Sequence, residues 1–331
     1  MAVYIHVTFN HLMAIQRWIK AEGGQATLDM SDLTLEVKHR GRYYRMYPIF
    51  QGTVQGRLVH LPALTPDARG FGGWRPYTTI AHPCSTDKQM FKAHLRQCGI
   101  RTPATWGSAA QPPAMDYVLK PRIGSFARGL TGPYRAGTPV RIEDHEVNEH
   151  GSLFAEQFVQ GHMIKAWFWG SRPFFAHMDP FPEITGDGRS TVEDLLRRKV
   201  GRGRRKWEDF EDLPTARDCL AFQGLRMDDV LEDQRQAWVD FRYGPRYAGS
   251  KLGATAESDN ALDELLRRTG RQLHEMGRAL AELLRKTMPV PIMLTADGML
   301  DQDNNLWWLE MNTNSLMPPE GYAAMFEDLF A

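Results

Sequence analysis

The sequence predicts a mixed α/β protein built from α+β lobes. Short apolar and β-branched segments of strand length recur along the chain, and the first of them covers residues 2–8. Apolar residues at helical spacing follow over residues 10–21, and again in the long segment Asn260–Thr287. A polar turn between two apolar segments predicts a β-hairpin near the end of the chain, over residues 297–312.

The bulk composition is that of an ordinary globular protein and excludes several classes. The 331 residues include 40 basic and 40 acidic side chains, so the net charge is zero and nucleic acid is an unfavoured partner. Three cysteines at unrelated spacings argue against a disulfide framework or a zinc site and fit a reducing compartment. The N-terminal residues have no signal-peptide pattern, and no apolar run is long enough to cross a membrane. We therefore expect a cytoplasmic protein with no membrane partner.

The order of the predicted elements divides the chain into three regions. We expect a small N-terminal α/β domain over residues 1–82, a small lobe over residues 83–150 and a C-terminal lobe over residues 151–331. Further strands of the first domain are predicted around Leu33–Val37, Arg42–Tyr47 and Arg57–His60. Glycines and a proline at residues 70–76 predict a loop before the second region.

The second region combines a capped helix, a strand that ends in a lysine, and a glycine-containing loop. Residues 85–87 predict a helix start, with Ser85 or Thr86 as the cap, and the helix runs to Gly99. A strand over residues 115–119 then delivers Lys120 to a loop with three glycines, Gly124, Gly129 and Gly132. Glycines allow backbone N–H groups to approach a phosphate, and lysine adds a positive charge. The loop lacks the Walker A and dinucleotide-binding patterns, and taken alone it fits a plain turn better.

The third region begins with two strands separated by a short bend. Phe154–Val159 and Ile164–Trp169 flank Gln160-Gly161-His162. The backbone groups of such a bend can bind the edge of an adenine, although a simple edge hairpin is the preferred explanation when the bend is taken alone.

The C-terminal hairpin carries the most informative side chains. Glu310 and Asn312 are two residues apart and therefore point to one face of a strand, while the turn brings Asp297 beside them. The other face is expected to carry Trp307, Leu309 and Met311. Carboxylate and amide oxygens suit Mg²⁺, which leaves open positions for phosphate. An ordinary half-exposed hairpin is the alternative.

Taken together, the order of these parts resembles the ATP-grasp superfamily of carboxylate–amine ligases over roughly residues 85–320. The hairpin with Asp297 and Glu310 resembles D-alanine–D-alanine ligase, whereas residues 183–195 resemble the central loop of cyanophycin synthetase-like peptide ligases. The resemblance implies an ATP-grasp fold preceded by a small domain, ATP and Mg²⁺ as cofactors, a carboxylate and an amine as substrates, and the homodimer common among such ligases.

The resemblance also implies roles for individual residues. The implied catalytic cations are Lys120, Lys165 and Arg246, with Lys251 an equal candidate for the last position. The implied nucleotide-binding residues are Lys88, Lys120, Gly124, Ser125, Gly129, Glu156, Gln157, Phe158, Val159 and Lys165. Asp297, Glu310 and Asn312 are the implied Mg²⁺ ligands.

Two other functions and one charged segment stay open. An ATP-binding interaction module without ligase activity, or a phosphoryl transferase, would use the same nucleotide site. Residues 197–206 include seven basic side chains in ten. They fit a solvated helix end, a lid over an acidic substrate or, least well, a nucleic-acid patch.

Overall fold

The computed structural model describes residues 2–54, 57–107, 113–124, 128–139, 153–202, 206–244, 247, 259–285 and 291–331. Within these residues, helices and antiparallel sheets of three lobes pack together, and the predicted mixed α/β class is confirmed. No helix in the described ranges combines the length and the apolar character that a membrane span requires.

The N-terminal lobe is one helix against a five-stranded antiparallel sheet. Its elements are α1 (Ala2–Glu22), β1 (Gln25–Leu28), β2 (Leu35–His39), β3 (Arg42–Val54), β4 (Arg57–Leu61) and β5 (Ala68–Arg75). Strands β1 to β4 are adjacent in chain order, and β5 also pairs with β3.

Two predictions for this lobe are wrong. Residues 2–8 belong to α1 and do not form a strand, because the helical spacing of the apolar residues that follow extends the helix through a β-branched start. The glycine-rich stretch at residues 70–76 is not a loop but largely strand β5. Its glycines fit close packing: a Cβ on Gly72 would lie 3.1 Å from the carbonyl oxygen of Ile49, and one on Gly73 would lie 3.2 Å from the hydroxyl of Tyr322.

The second lobe places a helix beside a four-stranded sheet. It contains α2 (Pro83–Thr86), α3 (Lys88–Gln97), β6 (Thr105–Trp106), β7 (Tyr117–Pro121), β8 (Thr131–Tyr134) and β9 (Leu153–Gln157). The sheet order is β6-β9-β7-β8, so β9 lies centrally beside β7. The carboxylate of Asp87 accepts hydrogen bonds from the backbone N–H groups of Gln89 and Met90, so α3 starts where the sequence predicts, but its cap is Asp87 and not Ser85 or Thr86.

The third lobe contains a second four-stranded sheet and a small appended unit. The sheet has the order β11-β10-β14-β15, from β10 (His162–Trp169), β11 (Arg172–Asp179), β14 (Met293–Leu300) and β15 (Leu306–Asn312). The appended unit contains β12 (Glu183–Thr185), α4 (Val192–Arg202), α5 (Leu213–Phe222) and β13 (Gln236–Trp238).

The long helix predicted for Asn260–Thr287 is two helices. They are α6 (Leu262–Thr269) and α7 (Gln272–Leu284), and both pack on the β10–β11 side of the sheet. Gly270 separates them with a φ of 59°, a conformation that an α-helix cannot continue through. The last element, α8 (Gly321–Leu329), returns to the N-terminal lobe and packs in the same core as α1.

Candidate active site

A cavity of about 1430 Å³ is lined by residues of both four-stranded sheets. The predicted site residues that line it are Lys88, Lys120, Gly124, Glu156, Gln157, Phe158, Val159, Lys165, Asp297, Glu310 and Asn312. Gly129 is not among the lining residues, although its neighbours Arg128 and Leu130 are. Ser125, Arg246 and the alternative Lys251 lie outside the described residues. The volume exceeds the ~300–1,000 Å³ typical of small-ligand pockets, so the cavity has room for more than one small ligand.

The pairing of β10 with β14 arranges the cavity wall in successive levels. Because alternate strand residues share a face, Met163, Lys165 and Trp167 of β10 follow one another along the wall. Their partners on β14 are Met299, Asp297 and Thr295, in that order. Along the wall, an apolar pair of residues is therefore followed by a charged pair and then by an aromatic and polar pair. We call each pair a level of the cavity.

Asp297 is the centre of the charged level. The ammonium group of Lys165 lies 2.7 and 3.1 Å from its two carboxylate oxygens, and the amide of Asn312 donates a hydrogen bond of 3.0 Å. Glu310 is its register partner on β15. Burial raises the pKa of Asp297; the charge of Lys165 opposes this rise and the charge of Glu310 adds to it. The pair of acids therefore favours cations at this level.

A β-bulge changes the expected faces of β15. Asp297 pairs with Glu310, but Gly298 pairs with Trp308, which leaves Leu309 without a register partner. Leu309 consequently lines the cavity beside Glu310. Leu309 and Trp307 both pack in an apolar cluster that includes Met299. The prediction that Trp307, Leu309 and Met311 share the opposite face is wrong for the first two and holds for Met311, which lies in the core under the sheet.

The residues at this level fit a hard divalent cation. Their donors are two carboxylates and one amide, the oxygen chemistry that Mg²⁺ prefers. No group of three His, Cys, Asp or Glu side chains suited to a metal occurs in the described part of the chain, so Asn312 has to complete the set. Lysines neutralise both acids in the structure, since Lys88 lies 3.3 Å from the Glu310 carboxylate and Lys165 binds Asp297.

Lys120 is held by a buried acid that it shares with a second lysine. One oxygen of Glu156 lies 2.6 Å from the Lys120 ammonium, and the other lies 2.7 Å from that of Lys92. Burial alone would raise the pKa of Glu156, but the charges of Lys120 and Lys92 hold it below its usual value. Glu156 is 2% exposed, and its side chain therefore orients Lys120 at the cavity wall.

The backbone groups around Glu156 form hydrogen bonds within the sheet. Glu156 pairs with Thr105 of β6 and with Val118 of β7. The next N–H group, of Gln157, donates to the carbonyl of Ala104, and that of Phe158 donates to the carbonyl of Asp116. These hydrogen bonds therefore hold residues 156–158 in place beside the aromatic side chains at one end of the cavity.

The apolar end is formed by aromatic and sulfur-containing side chains. Phe158 lies in a cluster of rings, with centroid distances of 5.4 Å to both Phe222 and Phe241. Met163 and Met299 pack in the same cluster. A flat apolar group such as a purine ring fits between surfaces of this kind.

Sequence reasoning missed two aromatic residues that surround Lys165. The Lys165 ammonium lies 5.3 Å from the ring centroid of Tyr243, within range of a cation–π interaction. The Tyr243 hydroxyl hydrogen bonds with Nδ1 of His177, which is the register partner of Lys165 on β11. Burial raises the pKa of Tyr243, so its hydroxyl keeps its proton at neutral pH. The spacing of these residues in the sequence gives no signal of this contact.

The comparisons with known proteins give similar structures and no similar sequence family. No protein-family model and no curated protein matches the chain. The chain is similar to the structure of a bifunctional glutathione synthetase from Pasteurella multocida, with 14% identity, a TM-score of 0.43, and coverage of 97% of this chain and 43% of that one. It is also similar to D-alanine–D-alanine ligase from Bacillus anthracis, with 14% identity, a TM-score of 0.38, and coverage of 75% and 65%.

A third similar structure is that of the ATP-grasp ligase PsnB, complexed with a minimal precursor. The identity is 11%, the TM-score is 0.34, and the match covers 74% of this chain and 61% of that one. These similar structures are thus those of a synthetase and two ligases. The chain spans less than two thirds of each of these three proteins.

Proposed function

We propose that this protein is an ATP- and Mg²⁺-dependent ligase that joins a carboxylate to an amine with release of ADP and phosphate. The observation that carries the proposal is the convergence of Lys120, Lys165 and the Asp297–Glu310 pair in one cavity, beside an apolar end. A nucleotide has this same sequence of chemistry, from an apolar ring to a polyphosphate with its metal ion. The sequence resemblance supports the same reaction.

The levels of the cavity suggest how the nucleotide lies. The base occupies the apolar end at Phe158, Val159 and Met299, and the phosphates lie along Lys120 and Lys165. We expect Lys88 and the loop that includes Gly124 at the outer phosphates. The two are already in contact, because the Lys88 ammonium donates a hydrogen bond of 2.5 Å to the carbonyl of Gly124. Ser125 and Gly129 remain predicted contacts of this loop.

Asp297, Glu310 and Asn312 would hold Mg²⁺, which when bound neutralises phosphate charge and orients the transferred group. With Mg²⁺ at the two acids, Lys165 and Lys88 would be free to bind phosphate oxygens in place of the carboxylates. Arg246, or Lys251 in its place, remains the predicted cation for the reacting groups.

The proposed reaction has two displacements. A carboxylate oxygen of the first substrate bonds to the γ-phosphorus, the bond from that phosphorus to the bridging oxygen breaks, and ADP leaves. The amine nitrogen then bonds to the carbonyl carbon of the acylphosphate, the carbon–oxygen bond to phosphate breaks, and the nitrogen loses a proton. The protein contributes fixed positive charge and alignment of the reactants.

The test is calorimetric titration of the full chain with a non-hydrolysable ATP analogue, in Mg²⁺ and in EDTA. We expect binding that depends on Mg²⁺ and that Glu310→Ala weakens by about tenfold or more, since one charged ligand is lost. Asp303→Ala is the matched control, because Asp303 is an exposed acid on the turn of the same hairpin and does not line the cavity. Absence of binding by the folded wild-type chain would refute the proposal.

Product analysis separates the ligase from the two other functions. A ligase releases ADP and phosphate only when an acid and an amine are both present, and it yields an amide that mass spectrometry detects. A phosphoryl transferase yields a stable phosphorylated product without an amine. An interaction module binds the analogue but consumes no ATP with any pair of substrates.

A further inference from the structure

Helix α3 places two lysines one turn apart on one side. Lys88 and Lys92 are four residues apart, the spacing at which helical side chains lie above one another. The side chain of Lys92 is fully buried, with an exposed fraction of 0%. A buried ammonium is costly unless it is well bonded, so the partners of Lys92 indicate what it does.

Lys92 contacts both sheets that line the cavity. Its ammonium lies 2.7 Å from the Glu156 carboxylate on β9 and donates to the carbonyl of Trp308 on β15 at 3.3 Å. Strand β9 positions Lys120 through Glu156, and β15 carries Glu310 two residues after Trp308. Lys92 therefore connects Glu156, which holds Lys120 in place, to the strand that carries Glu310.

The charges show why this junction affects the site. Glu156 is one carboxylate between two ammonium groups, and each lysine holds one of its oxygens. When Lys92 is charged, the Lys92–Glu156–Lys120 group has a net charge of +1, and Lys120 can face the cavity while it keeps one partner. When Lys92 is neutral or absent, the group has no net charge and Glu156 binds Lys120 alone.

We propose that Lys92 is a positioning residue for the nucleotide: it fixes Glu156, and through it the ammonium of Lys120, relative to the strand that carries Glu310. The inference rests on the proposed function. Lys92 has no contact with the cavity, so it acts through its neighbours and is not a catalytic residue.

The proton affinity of Lys92 provides a distinctive signature. Burial lowers its pKa to about 8, although the charge of Glu156 opposes the shift. The other charges that face it are those of Lys120 on β7 and Arg96 on its own helix, and both lower the pKa further, while β15 presents the Trp308 carbonyl. Above this pH the Lys92–Glu156–Lys120 group loses its net positive charge, and an anionic nucleotide binds less tightly.

The experiment compares wild type with Lys92→Met and Arg96→Met by calorimetric titration with the ATP analogue and Mg²⁺ between pH 7 and 9.5. Methionine keeps the length of the side chain without its charge. Arg96 is exposed, donates to Thr105 and lies one turn further along α3, so its loss removes a cation without touching Glu156. The change in protonation of the ATP analogue with pH is the same for the three proteins and therefore cancels in the comparison.

We expect Lys92→Met to bind the analogue about tenfold less tightly at pH 7, the effect of losing an outer partner of a ligand-binding group. Its affinity should also lack the decline that wild type shows near pH 8 and that Arg96→Met shows at a somewhat higher pH, since the charge of Arg96 lowers the pKa of Lys92. Equal affinity and the same pH profile in all three proteins would overturn the inference and leave the proposed function intact. If Lys92→Met does not fold, the wild-type profile decides, because a profile without the decline near pH 8 overturns the inference.

Discussion

At the scale of single residues, the candidate metal site is a pair of acids that lysines neutralise. Lys165 lies 2.7 Å from Asp297, and both side chains are 14% exposed. Charges this close to the interior interact strongly, because little water screens them. Lys165 therefore competes with any metal ion for Asp297, although it also attracts the phosphates.

Replacing Lys165 should separate these two effects. We expect Lys165→Met to bind Mn²⁺ alone more tightly than wild type, by about tenfold, because an opposing charge next to the acids is gone. The same variant should bind the ATP analogue less tightly. Calorimetric titration with Mn²⁺ and then with the analogue measures both changes.

Arg172→Met is the control, since Arg172 belongs to the adjacent strand β11 but pairs with the exposed Glu327. Weaker Mn²⁺ binding by Lys165→Met would show that Lys165 supports the acids instead of competing for them.

The sequence indicates the charged residues of the site better than it indicates their partners. Asp297, Glu310 and Asn312 come together as predicted, because a hairpin is a local structure. The contact between Lys92 and Trp308 joins residues 216 positions apart, and no local pattern specifies it. Glu156 remains a predicted nucleotide contact, and its burial between two lysines is a feature that the sequence does not indicate.

At the scale of elements, α7 packs on the β10–β11 hairpin through a glycine. A Cβ on Gly277 would lie 2.1 Å from the carbonyl oxygen of Ser171, which is backbone and cannot swing away. Gly277→Ala should therefore push α7 off the sheet that carries Lys165. We expect the free energy of unfolding to fall by about 1–3 kcal/mol, the range for overpacking, as measured by urea denaturation.

Gly201→Ala is the matched control for this effect. Gly201 lies in α4, where an added Cβ meets nothing within 4 Å. There alanine should stabilise the helix by up to about 1 kcal/mol, because it loses less conformational freedom on folding. A similar change in both variants would show that helix propensity, and not the contact with Ser171, decides the result at Gly277.

The wrong element predictions have causes that lie outside the local pattern. Residues 2–8 include four β-branched side chains and fit a strand, yet they extend a helix whose later turns pack against β5. The segment after Asn260 has one apolar stripe, yet Gly270 divides it. Tertiary packing and one backbone conformation override the local pattern in these cases.

At the scale of the whole molecule, the two ends of the chain share one core. The ring of Trp18 lies 4.8 Å from that of Phe326, and Nδ1 of His11 hydrogen bonds with the Tyr322 hydroxyl at 2.9 Å. That core also includes Trp167, whose strand carries Lys165. The N-terminal lobe is thereby packed against the sheet that forms the site.

The domain limits at residues 82 and 150 remain a prediction that limited proteolysis can test. The homodimer remains a prediction that light scattering can test.

His11 makes this shared core sensitive to acid. Burial, and then the charge of Arg75, lower the pKa of His11 to about 3, whereas a histidine in the unfolded chain titrates near 6.5. Between these pH values the unfolded chain binds one more proton than the folded chain at this position. Stability is therefore full above pH 6.5 and falls as the pH decreases through the window, by about 1.4 kcal/mol per pH unit.

His11→Asn isolates this contribution, because asparagine retains a polar group near Tyr322 but takes up no proton. Urea denaturation at pH 7.5, 6.5, 5.5 and 4.5 should give wild type the steeper loss of unfolding free energy below pH 6.5. His60, whose pKa is lowered to about 4 by burial and then by Arg75, contributes a similar loss in both proteins and cancels in the difference. Parallel profiles would mean that His11 takes up its proton while the rest of the chain stays folded. In that case the junction between α1 and α8 would open locally in acid, before the sheet that carries Lys165 unfolds.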